Sequence, residues 1–262
     1  MRLVWFVAPL LLSGCLLTQS LSGLSGGPDA GPDADAGAPD AANEAAPPAD
    51  AARDGAEGVV PIAFVQGSAT AAGSSSSTIS VRFDNPVKPH SAVIVAVALV
   101  PATLTLQPVK DSLGSAFTVV SGPWIGNGAN HYIAVALDTA GGANTVEASF
   151  SGEASTAYVY VHEYAGIATS AAFDQASSRN GVTAAPDGMN SGPVTTTWPH
   201  ELVFGFGETR TAAPGTGFTA RSLFSDNVTE DRIVDTLGSY QATGTMTTGT
   251  DWAMMVTTFR GR

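Results

Sequence analysis

From Val59 to Arg262 no segment repeats its apolar residues at a helical period, and this restricts the fold more than any other feature of the chain. Apolar residues come instead in short runs, alternating or continuous, closed by Gly, Asn, Asp or Pro. The pattern predicts strands over Ile62–Gln66, Thr78–Phe83, Ala92–Val100, Leu104–Lys110, Phe117–Val120, His131–Leu137, Thr145–Phe150, Ala157–Tyr164, Ala172–Gln175, Pro193–Thr197, Glu201–Gly207, Gly217–Leu223, Arg232–Thr236, Tyr240–Met246 and Trp252–Phe259. Ala92–Val100 is apolar throughout, as a central strand covered on both faces would be. Glu201–Gly207 sets Leu202, Phe204 and Phe206 on one face and Val203, Gly205 and Gly207 on the other, so the glycine face has to be closely covered or flank a bend.

Turn chemistry agrees. Asp138-Thr-Ala-Gly-Gly-Ala-Asn144 reads as a hairpin connection. Asp111-Ser-Leu-Gly-Ser115 and Asp235-Thr-Leu-Gly-Ser239 are near copies, each followed by a tryptophan, Trp124 and Trp252. They mark either an internal duplication or, more simply, one good turn used twice. Many antiparallel strands in one unit predict an all-β fold, a two-sheet β-sandwich of jelly-roll type, over residues 59–262. This unit has no cysteine, so its stability has to come from its core.

The first residues are of another kind. Met1-Arg2 is followed by the apolar run Leu3–Leu12, which suits a signal peptide and is too short to span a membrane. Leu12-Ser13-Gly14-Cys15 closes the run and resembles the lipobox of bacterial lipoproteins, with residues 1–14 as the signal peptide. The resemblance implies cleavage between Gly14 and Cys15 and acylation of Cys15, the only cysteine in the chain. With two or three acyl chains the protein would hold to a membrane firmly, since each buried CH₂ contributes about 0.8 kcal/mol. Leu16 stands where Asp favours inner-membrane retention, so the expected address is the outer membrane.

Residues 15–58 are loose Gly-Pro-Asp-Ala repeats, a disordered tether by composition. Such a stretch is similar to the tethers of lipoproteins from myxobacteria and their relatives. Pulled straight, it would reach roughly 140 Å. It carries eight acids against Arg53, so more than half of the formal net charge of -12 sits there. The remaining unit is acidic too and repels phosphate backbones, which argues against nucleic acid as a partner. Gly23-Leu24-Ser25-Gly26-Gly27 fits the letters of a nucleophile elbow but lacks the flanking strand and helix.

Within the folded unit the richest strand is Ala157–Tyr164. Tyr158, Tyr160, His162 and Tyr164 share one face, either an aromatic platform for a sugar ring or a set of core residues with satisfied hydroxyls. Glu163 lies on the other face, and Asp174 and Glu201 are the carboxylates that would partner it in acid–base chemistry. Asp226, Asn227, Glu230 and Asp231 cluster in one turn, where a structural Ca²⁺ is the cofactor such loops hold; a solvated acidic turn is the plainer account. His90, His131, His162 and His200 show no metal-ligand spacing.

Ile62-Ala-Phe-Val-Gln66, the Asp111 turn, Gly141-Gly-Ala-Asn-Thr-Val146, Val161-His-Glu-Tyr-Ala-Gly166, Glu201-Leu-Val-Phe-Gly205 and Trp252-Ala-Met-Met-Val-Thr-Thr-Phe-Arg260 together resemble a group of uncharacterised extracellular bacterial β-sandwich domains. That resemblance implies a fold and a location and carries no catalytic residue. The expected function is a membrane-anchored binding or adhesion module for polysaccharide or another envelope component. A structural envelope lipoprotein without a small ligand, and a jelly-roll hydrolase or lyase, remain the alternatives.

Overall fold

The computed structural model describes residues 60–183 and 188–262; the signal peptide, Cys15 and the tether lie outside the described residues. The first half of the unit forms β1 (Ala63–Arg82), β2 (Ala92–Val100), β3 (Lys110–Asp111), β4 (Phe117–Gly126), β5 (Ala129–Ala136) and β6 (Thr145–Ala165). The second forms β7 (Phe173–Val182), β8 (Gly188–Asn190), β9 (Val194–Thr195), β10 (Glu201–Pro214), β11 (Thr219–Ser222), a 3₁₀ turn (Phe224–Asp226), β12 (Val228–Val234), β13 (Ser239–Tyr240) and β14 (Thr243–Arg260). All pairings are antiparallel.

The strand positions follow the apolar pattern, and the differences have a common cause. Ile62–Gln66 and Thr78–Phe83 fall at the two ends of one strand, β1; Thr145–Phe150 and Ala157–Tyr164 fall within β6. Polar residues between them continue the ladder through bulges at Gly73/Ser76 and Ser76/Thr78. Two paired strands bend together there, so the chain needs no turn. The expected strand at Leu104–Lys110 shrinks to a bridge between Leu106 and Phe150 and the short β3.

The first sheet runs β1-β6-β2-β5-β4 and the second β11-β12-β10-β14-β7. The chain completes one sheet before starting the other, whereas a jelly roll passes back and forth between its sheets. Taken in chain order, the five main strands of each half occupy the same places: first, last, second, fourth, third. Residues correspond as well. Ala63-Phe64-Val65-Gln66 has its counterpart in Ala172-Phe173-Asp174-Gln175, Pro89-His90 in Pro199-His200, and Val161-His-Glu-Tyr-Ala-Gly166 in Val256-Thr-Thr-Phe-Arg-Gly261. The Asp111 and Asp235 turns are not equivalents, because one precedes β4 and the other follows β12. The counterpart of Asp235-Thr236 is Asp138-Thr139, and in both halves the aspartate bonds the histidine that precedes the second strand: His90 Nδ1 to Asp138 at 2.7 Å, His200 Nδ1 to Asp235 at 2.6 Å.

Three hydrophobic clusters hold the unit. Between the sheets lie Ile94, Ile133, Tyr160 and Tyr164 from the first and Leu202, Phe204, Phe206, Met255 and Phe259 from the second. The outer face of the first sheet, with Val93, Val95, Val159 and Val161, is covered by Ile79, Val81, Val146 and Phe150 from the far ends of β1 and β6. Val203, Val228, Met254 and Val256 on the outer face of the second are covered by Met189, Val194 and Ala242. Ala92–Leu99 is therefore buried on both faces, as its composition requires. The glycine face of β10 is closely covered: a methyl group on Gly205 would lie 2.8 Å from Ala242 Cβ, and one on Gly207 2.6 Å from Met189 Cε.

Candidate functional site

The aromatic face of β6 points inward. Tyr160, His162 and Tyr164 are fully buried. Phe206 packs against Tyr160 at 5.4 Å between ring centroids, and Phe204 against His162 at 5.4 Å. Period two placed these side chains together correctly, but the phenylalanine face of β10 closes over them, so they form no exposed sugar platform. Their hydroxyls are satisfied in place. Tyr160 donates to Phe224 O at 2.9 Å and accepts from Asn227 Nδ2 at 3.1 Å. Tyr164 donates to Asp231 Oδ2 at 2.7 Å, an oxygen that Arg221 Nε also reaches at 2.7 Å. Burial raises both phenols above the usual tyrosine range. His162 has no hydrogen-bond partner among the described residues; burial, then the Arg221 charge, lowers it to about 3, so it is a neutral ring.

Nor do the four acidic-turn residues converge. Asp226 is exposed at the turn itself. Asn227 faces inward and caps Thr209 N at 3.2 Å. Strand alternation then sends Asp231 to Tyr164 between the sheets and Glu230 to the opposite, outer face, where it accepts from Gly215 N at 2.8 Å. Among the described residues no three His, Cys, Asp or Glu side chains gather as a metal cage.

Glu163 shares no hydrogen-bond partner with Asp174 or Glu201, whereas those two lie side by side. Glu163 accepts from Lys88 N at 2.7 Å, Ser91 Oγ at 2.8 Å and Gln66 Nε2 at 2.7 Å, which fastens the corner before β2. At the equivalent corner Glu201 accepts from Trp198 N at 2.9 Å, and the β14 residue that corresponds to Glu163 is Thr258, paired with Val203. The carboxylate has changed strands while keeping its task. Asp174, anchored by Thr197 at 2.6 and 2.8 Å, lies against Glu201, which burial and then the nearby Asp174 push above the usual carboxylate range.

At the other end of the sandwich, side chains from both sheets come together around an opening. There the β4–β5 turn and the β11–β12 turn both border the opening, beside Tyr158 of β6. Each has two central residues of positive φ: Asn127 (47°) and Gly128 (76°) in one, Ser225 (54°) and Asp226 (61°) in the other. Between them is a cleft of about 450 Å³ lined by Asn127, Tyr158, Glu208, Arg210, Ser225 and Asp226. Tyr158, the outermost tyrosine of the β6 face, is the only one of the three that reaches it. Burial, then Glu208 and Asp226, raise its phenol above the usual range, so it stays a neutral hydrogen-bonding hydroxyl.

Glu208 forms part of the floor. It is 6% exposed, and its Oε2 meets Nε2 of the buried His131. His131 Nδ1 lies 3.0 Å from Trp124 O, and because a carbonyl only accepts, Nδ1 carries a hydrogen. The imidazole and the carboxyl thus meet at the base of the cleft. The sequence signal for one wall is Asn127-Gly128, the strongest short hairpin signature. Nothing in the spacing links His131 to Glu208, which meet across the two sheets.

No protein-family model matches the chain, and neither the curated proteins nor the solved structures contain a match to it.

Proposed function

We propose that the protein is a lipid-anchored envelope module that binds polysaccharide in the cleft between its paired hairpin tips. The observation that carries this reading is the composition of the cleft: one aromatic ring, Tyr158, beside planar polar groups from Asn127, Glu208, Arg210 and Asp226. Sugars present hydroxyls that such groups bond in pairs and C–H faces that stack on an aromatic ring. The binding role expected from the sequence is kept while its location moves from the buried strand face to the strand end. Cys15 supplies the membrane anchor, at the outer membrane, and the acidic tether the reach.

Two measurements test the two parts. Full-length acylated protein in detergent should retain oligosaccharides on a glycan array, and Tyr158→Ala should weaken retention by roughly tenfold, the loss of one stacked ring. Retention of nothing, or retention indifferent to Tyr158, overturns the binding reading. Palmitate labelling in cells should depend on Cys15; a Cys15→Ala chain that still partitions with membranes overturns the anchor.

A further inference from the structure

The polar contacts between the sheets join unlike partners. Tyr164 of the first half meets Asp231 of the second, which also holds Arg221. Tyr160 bonds Phe224 O and Asn227, and His131 meets Glu208. The Arg221 guanidinium lies over the Phe64 ring at 4.4 Å, and Arg262 Nη2 donates to His90 O at 2.8 Å. The strand places repeat between the halves, but these side chains do not: Phe259, the counterpart of Tyr164, has no hydroxyl. Two first halves set face to face would bury the Tyr160 and Tyr164 hydroxyls without these partners, a cost that unlike halves avoid. The inner face of a first half is therefore built to accept a second half. Whether that second half belongs to the same chain is decided by the connection alone.

The connection is the seven residues Gly166–Ala172 between β6 and β7, exposed at Thr169, Ser170 and Ala171. It is fastened to the end of β14. Ala168 N donates to Arg260 O at 3.1 Å and Arg260 N to Ala172 O at 2.8 Å. The Arg260 guanidinium donates to Ala171 O at 2.9 Å and to Ser170 O at 3.0 Å. Released and pulled straight, seven residues reach roughly 24 Å. We propose that two copies of this chain exchange halves, the first half of each pairing with the second half of the other. Every contact between unlike halves is kept in such a dimer, and only the connection changes its path. Arg260 is the clasp that favours the closed chain. The exchange reaches the cleft as well: Asn127 and Tyr158 come from the first half, and Glu208, Arg210, Ser225 and Asp226 from the second. Each cleft of the dimer is thus assembled from both copies.

The test uses the full-length chain carrying Cys15→Ala, so that no acyl chain joins the copies. It is unfolded in urea, refolded over a range of concentrations and separated by mass. A dimer should appear, and its share should grow with concentration. Cut between Thr169 and Ser170, the isolated dimer should fall to units of monomer mass without denaturant, because the two connections are all that joins them. A dimer made by surface contact would keep its mass after the same cut. Arg260→Ala should raise the dimer's association constant roughly tenfold, since each of two connections then has less to hold it closed. The concentration series and the cut leave the core unaltered, so they stand even where Arg260→Ala does not fold. Monomer at every concentration, a dimer whose mass survives the cut, or a dimer share indifferent to a folded Arg260→Ala overturns the inference.

Discussion

Glu230 shows how one residue links burial to the behaviour of the whole fold. Its carboxyl is fully buried on the outer face of the second sheet, with one oxygen on Gly215 N and the other without a partner. Burial, opposed in part by the Gly215 and Thr243 amides and aided by Asp231, raises it to about 7. The folded state therefore holds this proton more tightly than the unfolded chain, whose glutamates titrate near 4.3. The stabilisation is fully present below that value and is lost as pH rises toward about 7. We expect the urea midpoint to decline across that window by an amount on the order of 2–3 kcal/mol, and Glu230→Gln to flatten the decline. A midpoint equally pH-dependent in the variant would contradict this. Tyr164→Phe should cost about 1–2 kcal/mol at any neutral pH, since Asp231 then keeps only Arg221, as equilibrium denaturation would reveal. Both residues were visible in the sequence as members of polar or aromatic sets. Their burial was not, because alternation assigns side chains to faces and says nothing of what covers each face.

At the level of elements, apolar runs and turns were legible wherever one strand settles its own pairing. Ala92–Val100 and the alternating Glu201–Gly207 were placed and oriented by composition alone. The long strands β1, β6 and β14 were not, since their polar middles are held by partner strands rather than by their own pattern. The corners before β2 and β10 are a subtler case. Each is fastened by one buried glutamate, from β6 in the first half and from β10 itself in the second. Residue-by-residue comparison of the two stretches hides this, because the acid sits at non-equivalent positions. Glu163→Ala would strand three donors, the Lys88 amide, the Ser91 hydroxyl and the Gln66 amide, of which the first two belong to the corner. We expect a loss of about 3 kcal/mol, with Glu163→Gln considerably milder, read by denaturation and by faster amide exchange at Lys88.

The unit is built on two main sheets, each complete within its own half of the chain, with a small third sheet of β9 and β13 in the second half and no main strand crossing between the two. What joins them is the inner cluster around Phe204, Phe206, Tyr160 and Phe259, polar contacts such as Tyr164 to Asp231, a backbone bridge between Ile167 and Gly261, and one covalent connection near Ser170. Thr169, Ser170 and Ala171 of that connection are exposed. A chain cut there loses no strand pairing in either sheet, yet each half alone would expose an inner face of large apolar side chains. The halves should thus depend on each other while needing no covalent link. Cleavage between Thr169 and Ser170 should leave a complex that migrates as one species and unfolds in a single transition, at a lower midpoint that depends on concentration. Expressed separately, each half should be insoluble, and mixed during refolding they should regain the intact unit. A cut chain that falls apart without denaturant, or a half that folds as a monomer, would show that the pairing of the sheets rests on the connection and not on the shared core. The His131–Glu208 contact spans the two halves, so reassembly should restore the cleft floor along with the core.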